Sequence, residues 1–332
     1  MKRKLQFSED EGVDDVNEVR QEGRGTPFTF NTHDGPFMIG ADMPYCFNLV
    51  CQPPDGIQFI GRELAVAAFI FADVLPKKEI LVPDDHCIGS RENLQTLSPG
   101  RMLVDDVLNL VVSMCTAIGR EARQRYWWLP TTFAQIALSP LSHCASTLDF
   151  IGTNYMGDID GPIKIYVPLH LAQHWYLMIV DLNSEELVYL DSAKTSDAIQ
   201  RKARLDQMKY VTYFLENMLA DENFNKHKDE QKSNYRRFSL YDLSEPLVGQ
   251  QRELSNDCGV YVAQWMIQSH LWEAYNLVVT DETRMRLAID LVTNIHNVNR
   301  HQVADRAVED WDKIVLRWIR NRNQMQQNQN SP

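Results

Sequence analysis

The sequence predicts an α+β fold in which a central sheet is flanked by helices, because helical and strand-like segments occupy different parts of the chain. Apolar residues spaced three and four apart predict a helix over 103–118. Short runs rich in β-branched and aromatic residues then predict a sheet between 163 and 190. Helical spacing returns over 197–224 and again from residue 257 onwards. Separate runs of strands and helices are typical of the α+β class.

The individual elements follow in chain order. The Pro99-Gly100 pair marks the start of the first helix, and Pro130 precedes a second, short helix over 131–138. Strands are predicted at 163–167, 175–182, 187–190 and 237–243. Further helices are predicted at 197–224, 257–271, 282–296 and 303–319.

The rest of the chain lacks these patterns. Residues 1–35 mix charges with glycines and show no sustained period, which predicts a flexible leader. Residues 321–332 are rich in asparagine and glutamine and predict a disordered tail. Residues 36–96 are apolar enough to fold, although prolines interrupt them. The sequence predicts no function for this N-terminal region. One interpretation is that it packs on the domain that follows.

Composition narrows the class of protein. The 332-residue chain has a net charge of −12, which disfavours direct binding to nucleic acid. Its longest apolar stretch, 64–75, is interrupted by Asp73 and is too short to span a membrane. No secretory signal is recognised at the N-terminus. The 6 cysteines are irregularly spaced, which favours reduced thiols in an intracellular protein of the nucleus or cytoplasm.

Cys258 is the candidate nucleophile. Short polar residues precede it, and an apolar helical run follows. Asp257 is a candidate N-cap, which would place Cys258 in the first turn, where the helix dipole favours a thiolate. Gly259 would let an extended substrate backbone approach the sulfur. An ordinary buried thiol is the alternative interpretation.

His174 and Asp191 are the candidate base and its orienting acceptor. His174 opens one predicted strand and Asp191 follows the next, so a hairpin would bring both to one end of the sheet. A two-residue turn would make them diagonal neighbours, within reach of a hydrogen bond; a longer turn would need a twist or bulge. A surface histidine and a turn aspartate are the alternative interpretation of the pair.

Other polar residues give weaker signals. His86 beside Cys87 and His143 beside Cys144 lack zinc-ligand spacing, so no metal and no cofactor are predicted. The role of His170 stays open. Gln250 or Gln251 would be able to donate to an oxyanion together with the amide of Cys258.

The motifs His174-Trp175, Leu190-Asp191-Ser192 and Asp257-Cys258-Gly259 stand in an order that resembles the ubiquitin-like-protein-specific (SUMO/sentrin-type) cysteine proteases and their plant relatives. The resemblance covers about 97–320, which it marks as the catalytic domain. It implies a papain-like fold, a Cys-His-Asp triad, and a ubiquitin-like modifier or its conjugates as partner.

The resemblance also implies roles for cleft residues. Trp175 would cover a narrow tunnel for a diglycine tail, and a glutamine before the cysteine would support the oxyanion. Gln251 fits this glutamine with a one-residue shift, because Arg252 stands at the usual position. Met102 replaces the tryptophan of the family's Trp-Leu-x-Asp segment, which ends here at Asp105. A modifier-binding module with weak or no activity, or one derived from a mobile-element protein, is the alternative function.

Overall fold

The computed structural model describes residues 28–32, 35–39, 61–72, 74–139, 145–156, 162–193, 197–220, 237–268, 275–311 and 313–314. The predicted tail at 321–332 and most of the predicted leader lie outside these residues. In the described ranges, no helix has both the length and the apolar character that a membrane crossing requires.

A five-stranded mixed sheet forms the centre of the fold. Its strands are β5 (Tyr126–Trp128), β6 (Lys164–Leu171), β7 (His174–Asp181), β8 (Glu186–Leu190) and β9 (Asp242–Ser244), hydrogen-bonded in this order. The inner pairs β6–β7 and β7–β8 are antiparallel, whereas both outer strands pair in parallel. Every residue of β7 is buried, which explains why this strand lacks a polar face.

Two small hairpins precede the sheet. β1 (Phe28–Thr32) pairs with β2 (Gly35–Ile39), and β3 (Ile80–Pro83) pairs with β4 (Ile88–Ser90). Strand β1 occupies the end of the segment that the sequence predicted as a flexible leader.

Helices cover the sheet and build the rest of the core. They are α1 (Gly61–Phe71), α2 (Arg91–Leu94), α3 (Asp105–Glu121), α4 (Thr131–Leu138), α5 (Ala145–Ile151), α6 (Ala198–Ala220), α7 (Cys258–Ile267), α8 (Asp281–Thr293) and α9 (Arg300–Glu309). The mixed sheet with its surrounding helices confirms the predicted α+β class.

The predicted strand at 237–243 is wrong over most of its length. A 3-10 turn occupies Phe238–Leu240, and only Asp242–Ser244 pair with the sheet. Phe238 is buried within the turn, so its apolar side chain packs on the core without a strand. Alternation of apolar and polar residues over so few positions does not separate a strand from a turn with one inward side chain.

The N-terminal region shares the core of the following domain. Residues 65–72, which are most of helix α1 and the residue after it, are buried. They belong to the same hydrophobic cluster as the sheet. Polar contacts tie the same region to the C-terminal helices, since Arg286 of α8 binds Glu63 at 2.5 Å and Asn297 donates to the Leu81 carbonyl at 3.1 Å. The hydrophobic core therefore runs across residue 97, where the resemblance began.

Candidate active site

The buried thiol of Cys258 lies at the first residue of helix α7. Interactions with His174 and with the backbone N–H groups of Trp175 and Gly259 lower the pKa of this thiol. These donors stabilise a thiolate, and the start of a helix adds the positive end of its dipole. The sequence placed Cys258 at this position.

Asp257 is the N-cap residue by position, but it does not cap the helix with its side chain. Its carboxylate instead accepts from Arg284 of α8, from Nε at 2.9 Å and from Nη2 at 2.7 Å. The expected capping bond is therefore wrong, because a buried guanidinium competes successfully for the carboxylate.

His174 begins β7, and its Nε2 lies 2.7 Å from Asp191 Oδ1. Strand β7 pairs with β8 so that Leu177 faces Leu190 and Asp181 faces Glu186. Continued by one residue, this register sets Asp191 opposite Tyr176, two residues from His174. The pair is thus diagonal across the strand ends, although the turn that joins the two strands has four residues, 182–185, and not two.

Asp191 is 1% exposed, and both of its carboxylate oxygens are bonded. Oδ1 also accepts from the Ala193 N–H at 2.9 Å, while Oδ2 accepts from Tyr189 and from Arg204 of α6. Burial alone would raise the pKa of Asp191, but His174, Tyr189 and Arg204 hold it below its usual value. The carboxylate is therefore charged and fixed in orientation.

The titration of His174 and Cys258 is shifted towards an ion pair. Burial would lower the pKa of His174, but its hydrogen bonds to Asp191 and Cys258 outweigh burial and raise the pKa to about 9. Burial would likewise raise the pKa of Cys258, yet His174 and the two backbone N–H groups lower it. A thiolate beside an imidazolium is the protonation state that this geometry favours near neutral pH.

A cavity of about 340 Å³ adjoins Trp175. Its lining includes Met102, Asp105, Gln135, His170 and Gln173. The Trp175 indole is 4% exposed and donates to the Leu103 carbonyl at 3.2 Å, and His170 lies tilted against it at 4.5 Å between ring centroids. Trp175 and Met102 both line this cavity, and their contact with a modifier tail stays a prediction.

Asp105 and Gly259 have surroundings that the sequence did not predict. Asp105 is exposed at the cavity edge, and its Oδ2 accepts from Gln135 at 3.0 Å. A Cβ on Gly259 would lie 2.9 Å from Leu103 Cβ and 3.2 Å from Trp175 Cδ1. Leu103 and Trp175 therefore leave no room for a side chain at position 259, and the expected approach of a substrate backbone to Gly259 stays a prediction.

Gln251 lies in the loop before Cys258, held by three hydrogen bonds. Its backbone N–H donates to the Ser192 carbonyl at 2.8 Å, its Oε1 accepts from Ser192 Oγ at 3.0 Å, and its Nε2 donates to the Ser255 carbonyl at 2.9 Å. An amide nitrogen carries two donors, so the Ser255 bond uses one of them. Gln250 is instead turned towards the carbonyls of Asp191 and Val248.

Sequence reasoning missed Arg204 and Arg284, the buried cations that hold Asp191 and Asp257. Both carried a signal, because each arginine falls on the apolar stripe of its helix. Arg204 lies one turn before Met208, and Arg284 lies one turn before Ala288. A charge on the buried face of a helix predicts a buried acidic partner.

Among the residues that the structure describes, no group of three or more His, Cys, Asp or Glu side chains is arranged to hold a metal ion.

Comparison with known proteins agrees with this geometry. Residues 156–270 match the Ulp1 protease family, C-terminal catalytic domain. The Arabidopsis thaliana protein named Ubiquitin-like-specific protease 1A is 23% identical over 163 residues, which are 43% of this chain and 32% of that protein. The chain thus matches about a third of the length of this curated relative.

A solved structure has the same fold. The SUMO protease Ulp1 with its catalytic cysteine oxidized to a sulfenic acid superimposes with a TM-score of 0.52 at 19% identity, covering 71% of this chain and 96% of that one. The predicted papain-like fold class and the predicted family resemblance are confirmed by these matches.

Proposed function

We propose that the chain, whose residues 156–270 match the catalytic domain of the Ulp1 protease family, is a cysteine peptidase or isopeptidase that cleaves after the glycine-ended C-terminus of a ubiquitin-like modifier. The observation that carries the proposal is the contact of the Cys258 thiol with His174, whose Nε2 is bonded to Asp191 at 2.7 Å. A nucleophile, a base and an orienting acceptor in contact are the minimum set for acyl transfer by a thiol.

The proposed reaction begins with the Cys258 thiolate. Its sulfur attacks the carbonyl carbon of the terminal glycine, and the His174 imidazolium gives its proton to the departing amine as the C–N bond breaks. A thioester then joins Cys258 to the modifier. His174, now neutral, takes a proton from water, and the resulting hydroxide displaces the sulfur to leave a free carboxylate.

Asp191 serves this sequence without changing its own charge. Its Oδ1 binds Nε2 of His174, which directs the other ring nitrogen to the sulfur and stabilises the imidazolium. Tyr189, Arg204 and the Ala193 N–H keep the carboxylate in place.

The negative oxygen formed during attack needs donors. The backbone N–H of Cys258, at the start of a helix, is one candidate, and the second hydrogen of Gln251 Nε2 is the other. Support for Gln251 comes from its fixed position, because Ser192 and Ser255 hold the two ends of its amide.

The cavity beside Trp175 is the proposed path of the modifier tail. A glycine pair carries no side chains and suits a passage bounded by the flat Trp175 indole and the flexible Met102. Because the structurally similar protein is called a SUMO protease, we propose a SUMO-like modifier as partner. Nucleus and cytoplasm are the compartments where such a modifier would be met.

The proposed catalytic domain, 97–320, needs more of the chain in order to fold. Helix α1 packs on α8 and α9, and Gln95 donates to the Ile70 carbonyl at 3.2 Å. We therefore propose that the folded unit begins at or before residue 61, and that the region 36–96 is in part structural.

Cleavage of fusion proteins tests the proposed function. The full chain is incubated with SUMO, ubiquitin and related modifiers, each fused through its C-terminal glycine to a reporter, and the products are weighed by mass spectrometry. We expect release of a modifier that ends in glycine from at least one fusion, and no release by Cys258→Ala. Absence of cleavage across the panel by folded protein, combined with binding of a modifier, would establish the inactive binding module instead.

A further inference from the structure

Arg284 is a fully buried arginine whose donors reach two separate segments of the active site. It lies in the first turn of α8 and is 0% exposed. Its Nε and Nη2 bind the Asp257 carboxylate, and Nη2 also donates to the Asn256 carbonyl at 2.7 Å. Asn256 and Asp257 immediately precede the nucleophile.

The remaining nitrogen of Arg284 faces the opposite segment. Nη1 donates to the carbonyl oxygens of Arg101 at 3.0 Å, Ser98 at 3.3 Å and Thr96 at 3.5 Å. The next residue in the chain is Met102, which begins the wall of the cavity. One guanidinium thus joins the backbone that precedes the nucleophile to the backbone that precedes the cavity wall.

We propose that Arg284 is a positioning residue that fixes the Cys258 end of α7 and the 96–101 loop relative to each other, so that the nucleophile and the proposed tail channel stay aligned. This inference rests on the proposed peptidase function. Its physical basis is the planar fork of arginine, which carries five donors on three nitrogens and reaches acceptors on two sides, whereas lysine carries its three donors on one nitrogen and spans a shorter distance. Two segments that are far apart in sequence need such a bridge, because small displacements of a nucleophile cost large factors in rate.

The Asp257 contact adds a second effect of Arg284. A free carboxylate at an N-cap position turns to the N–H groups of the first helical turn. Here Arg284 binds the carboxylate instead, and the Asp257 side chain makes no capping hydrogen bond to the first turn of α7. Without the guanidinium, the carboxylate would compete for these amides and bring a negative charge close to the thiolate.

Arg91 provides a matched control for Arg284. It is also 0% exposed, lies at the start of α2 and pairs with a carboxylate, that of Glu79, at 2.7 Å. Its Nε also donates to the Pro76 carbonyl at 3.2 Å, in the N-terminal region. Replacing either arginine by lysine disturbs a buried ion pair, but only Arg284 touches the segments of the active site.

The test compares Arg284→Lys and Arg91→Lys in the full chain, using a fusion that the parent protein cleaves. We expect Arg284→Lys to lower kcat and raise KM together, for a loss of about 10- to 100-fold in kcat/KM. The pH profile of Cys258 alkylation by iodoacetamide should also move to higher pH. For Arg91→Lys we expect a lower Tm with kcat/KM and the alkylation profile within about twofold of the parent.

Asn256→Ala covers the case in which Arg284→Lys does not fold. Asn256 Nδ2 donates to the Gly100 carbonyl at 2.8 Å and so joins the same two segments from a partly exposed position. A loss in the same direction, but smaller, is expected. Folded Arg284→Lys, or Asn256→Ala if the former is unfolded, with kinetics and alkylation like the parent would overturn the inference. A parent chain without activity would instead count against the proposed function.

Discussion

The chain contains two clusters of cysteine, histidine and aspartate with opposite electrostatics. The C-terminal cluster is Cys258, His174 and Asp191, and the N-terminal cluster is Cys87, His86 and Asp84, in the turn between β3 and β4. Both thiols are buried. Nevertheless the pKa of Cys258 is lowered, whereas that of Cys87 is raised.

The order of contacts explains this difference. In the C-terminal cluster the imidazole stands between sulfur and carboxylate, so the sulfur faces a cation. In the N-terminal cluster, burial is the largest cause of the raised pKa of Cys87. The second cause is Asp84, whose Oδ1 accepts directly from the thiol at 3.5 Å. His86 is turned away and binds Thr132 Oγ1 at 2.6 Å. The comparison shows that the presence of cysteine, histidine and aspartate does not by itself activate a thiol. The imidazole must lie between the sulfur and the carboxylate.

Removal of each thiol gives the largest expected difference between the clusters. Cys258→Ala should reduce peptidase activity by about 10⁴-fold or more, because no other group can form the thioester. Cys87→Ala should keep kcat/KM within about twofold of the parent in protein that remains folded. Steady-state cleavage of a modifier fusion measures both. Comparable losses in the two variants would remove the distinction between the clusters.

Removal of each imidazole comes next in size. His174→Ala should lower kcat by about 10²- to 10⁴-fold, because both proton transfers lose their carrier. His86→Ala loses a hydrogen bond to Thr132 and ring contacts with Phe150 and Tyr155, none of which touches Cys258, so its kcat should be unchanged. The two variants are compared at saturating fusion substrate and equal folded fraction. A kcat for His174→Ala near that of the parent would contradict the assignment of His174 as the base.

Alkylation separates the thiols without a substrate. At pH 6.5 iodoacetamide should modify Cys258 at least about tenfold faster than Cys87 or Cys115, whose pKa values burial raises. In His174→Ala the reaction of Cys258 should slow at pH 6.5 and recover above pH 9, as a thiol without a cation does. Peptide mapping of the modified sites reports each rate. Equal rates at all three cysteines would contradict the contrast.

The last prediction concerns how the free energy of unfolding depends on pH through His296, which interacts with Asp84 of the N-terminal cluster. Both ring nitrogens of His296 are buried with no hydrogen-bond partner in the described structure, and burial lowers its pKa to about 4, against the opposing charge of Asp84. The folded state therefore holds the neutral ring, and its advantage is present above the unfolded pKa of about 6.5 and is lost as pH falls towards 4.

The expected loss between these pH values is about 3 kcal/mol in the free energy of unfolding. His296→Phe should flatten this part of the curve while leaving the alkylation profile of Cys258 unchanged. Urea unfolding across pH 4 to 7 measures the slope. The same acid slope in the variant and the parent would assign the loss to other groups.

Much of the fold was predictable because its signals are local. The strands around His174 and Asp191 have apolar runs separated by a turn, and helix α4 was predicted with its observed ends. The segment at 237–243 failed because one inward Phe238 imitates an alternating strand. The sequence alone did not predict that the N-terminal region is part of the common hydrophobic core, because contacts such as that of Gln95 with the Ile70 carbonyl depend on the tertiary fold.

The candidate site shows the same division. The hairpin predicted His174 and Asp191 as neighbours, because its register fixes which residues face each other. The order of the motifs, through the family resemblance, linked Cys258 to this pair. The partners of Asp257 and Asp191 come from helices α8 and α6, whose placement no local pattern encodes. Sequence reasoning therefore supplied the reacting groups but missed the arginines that hold them.

Labelling with an electrophile carried on a modifier tests the central claim most directly. A SUMO-like modifier whose terminal glycine bears a thiol-reactive group is added to the full chain, and the modified residue is identified by mass spectrometry. A single covalent adduct on Cys258, lost in Cys258→Ala and retained in Cys87→Ala, is the predicted result. An adduct on Cys87, or no adduct on folded protein from any modifier of a panel, would contradict the assignment of Cys258 as the nucleophile.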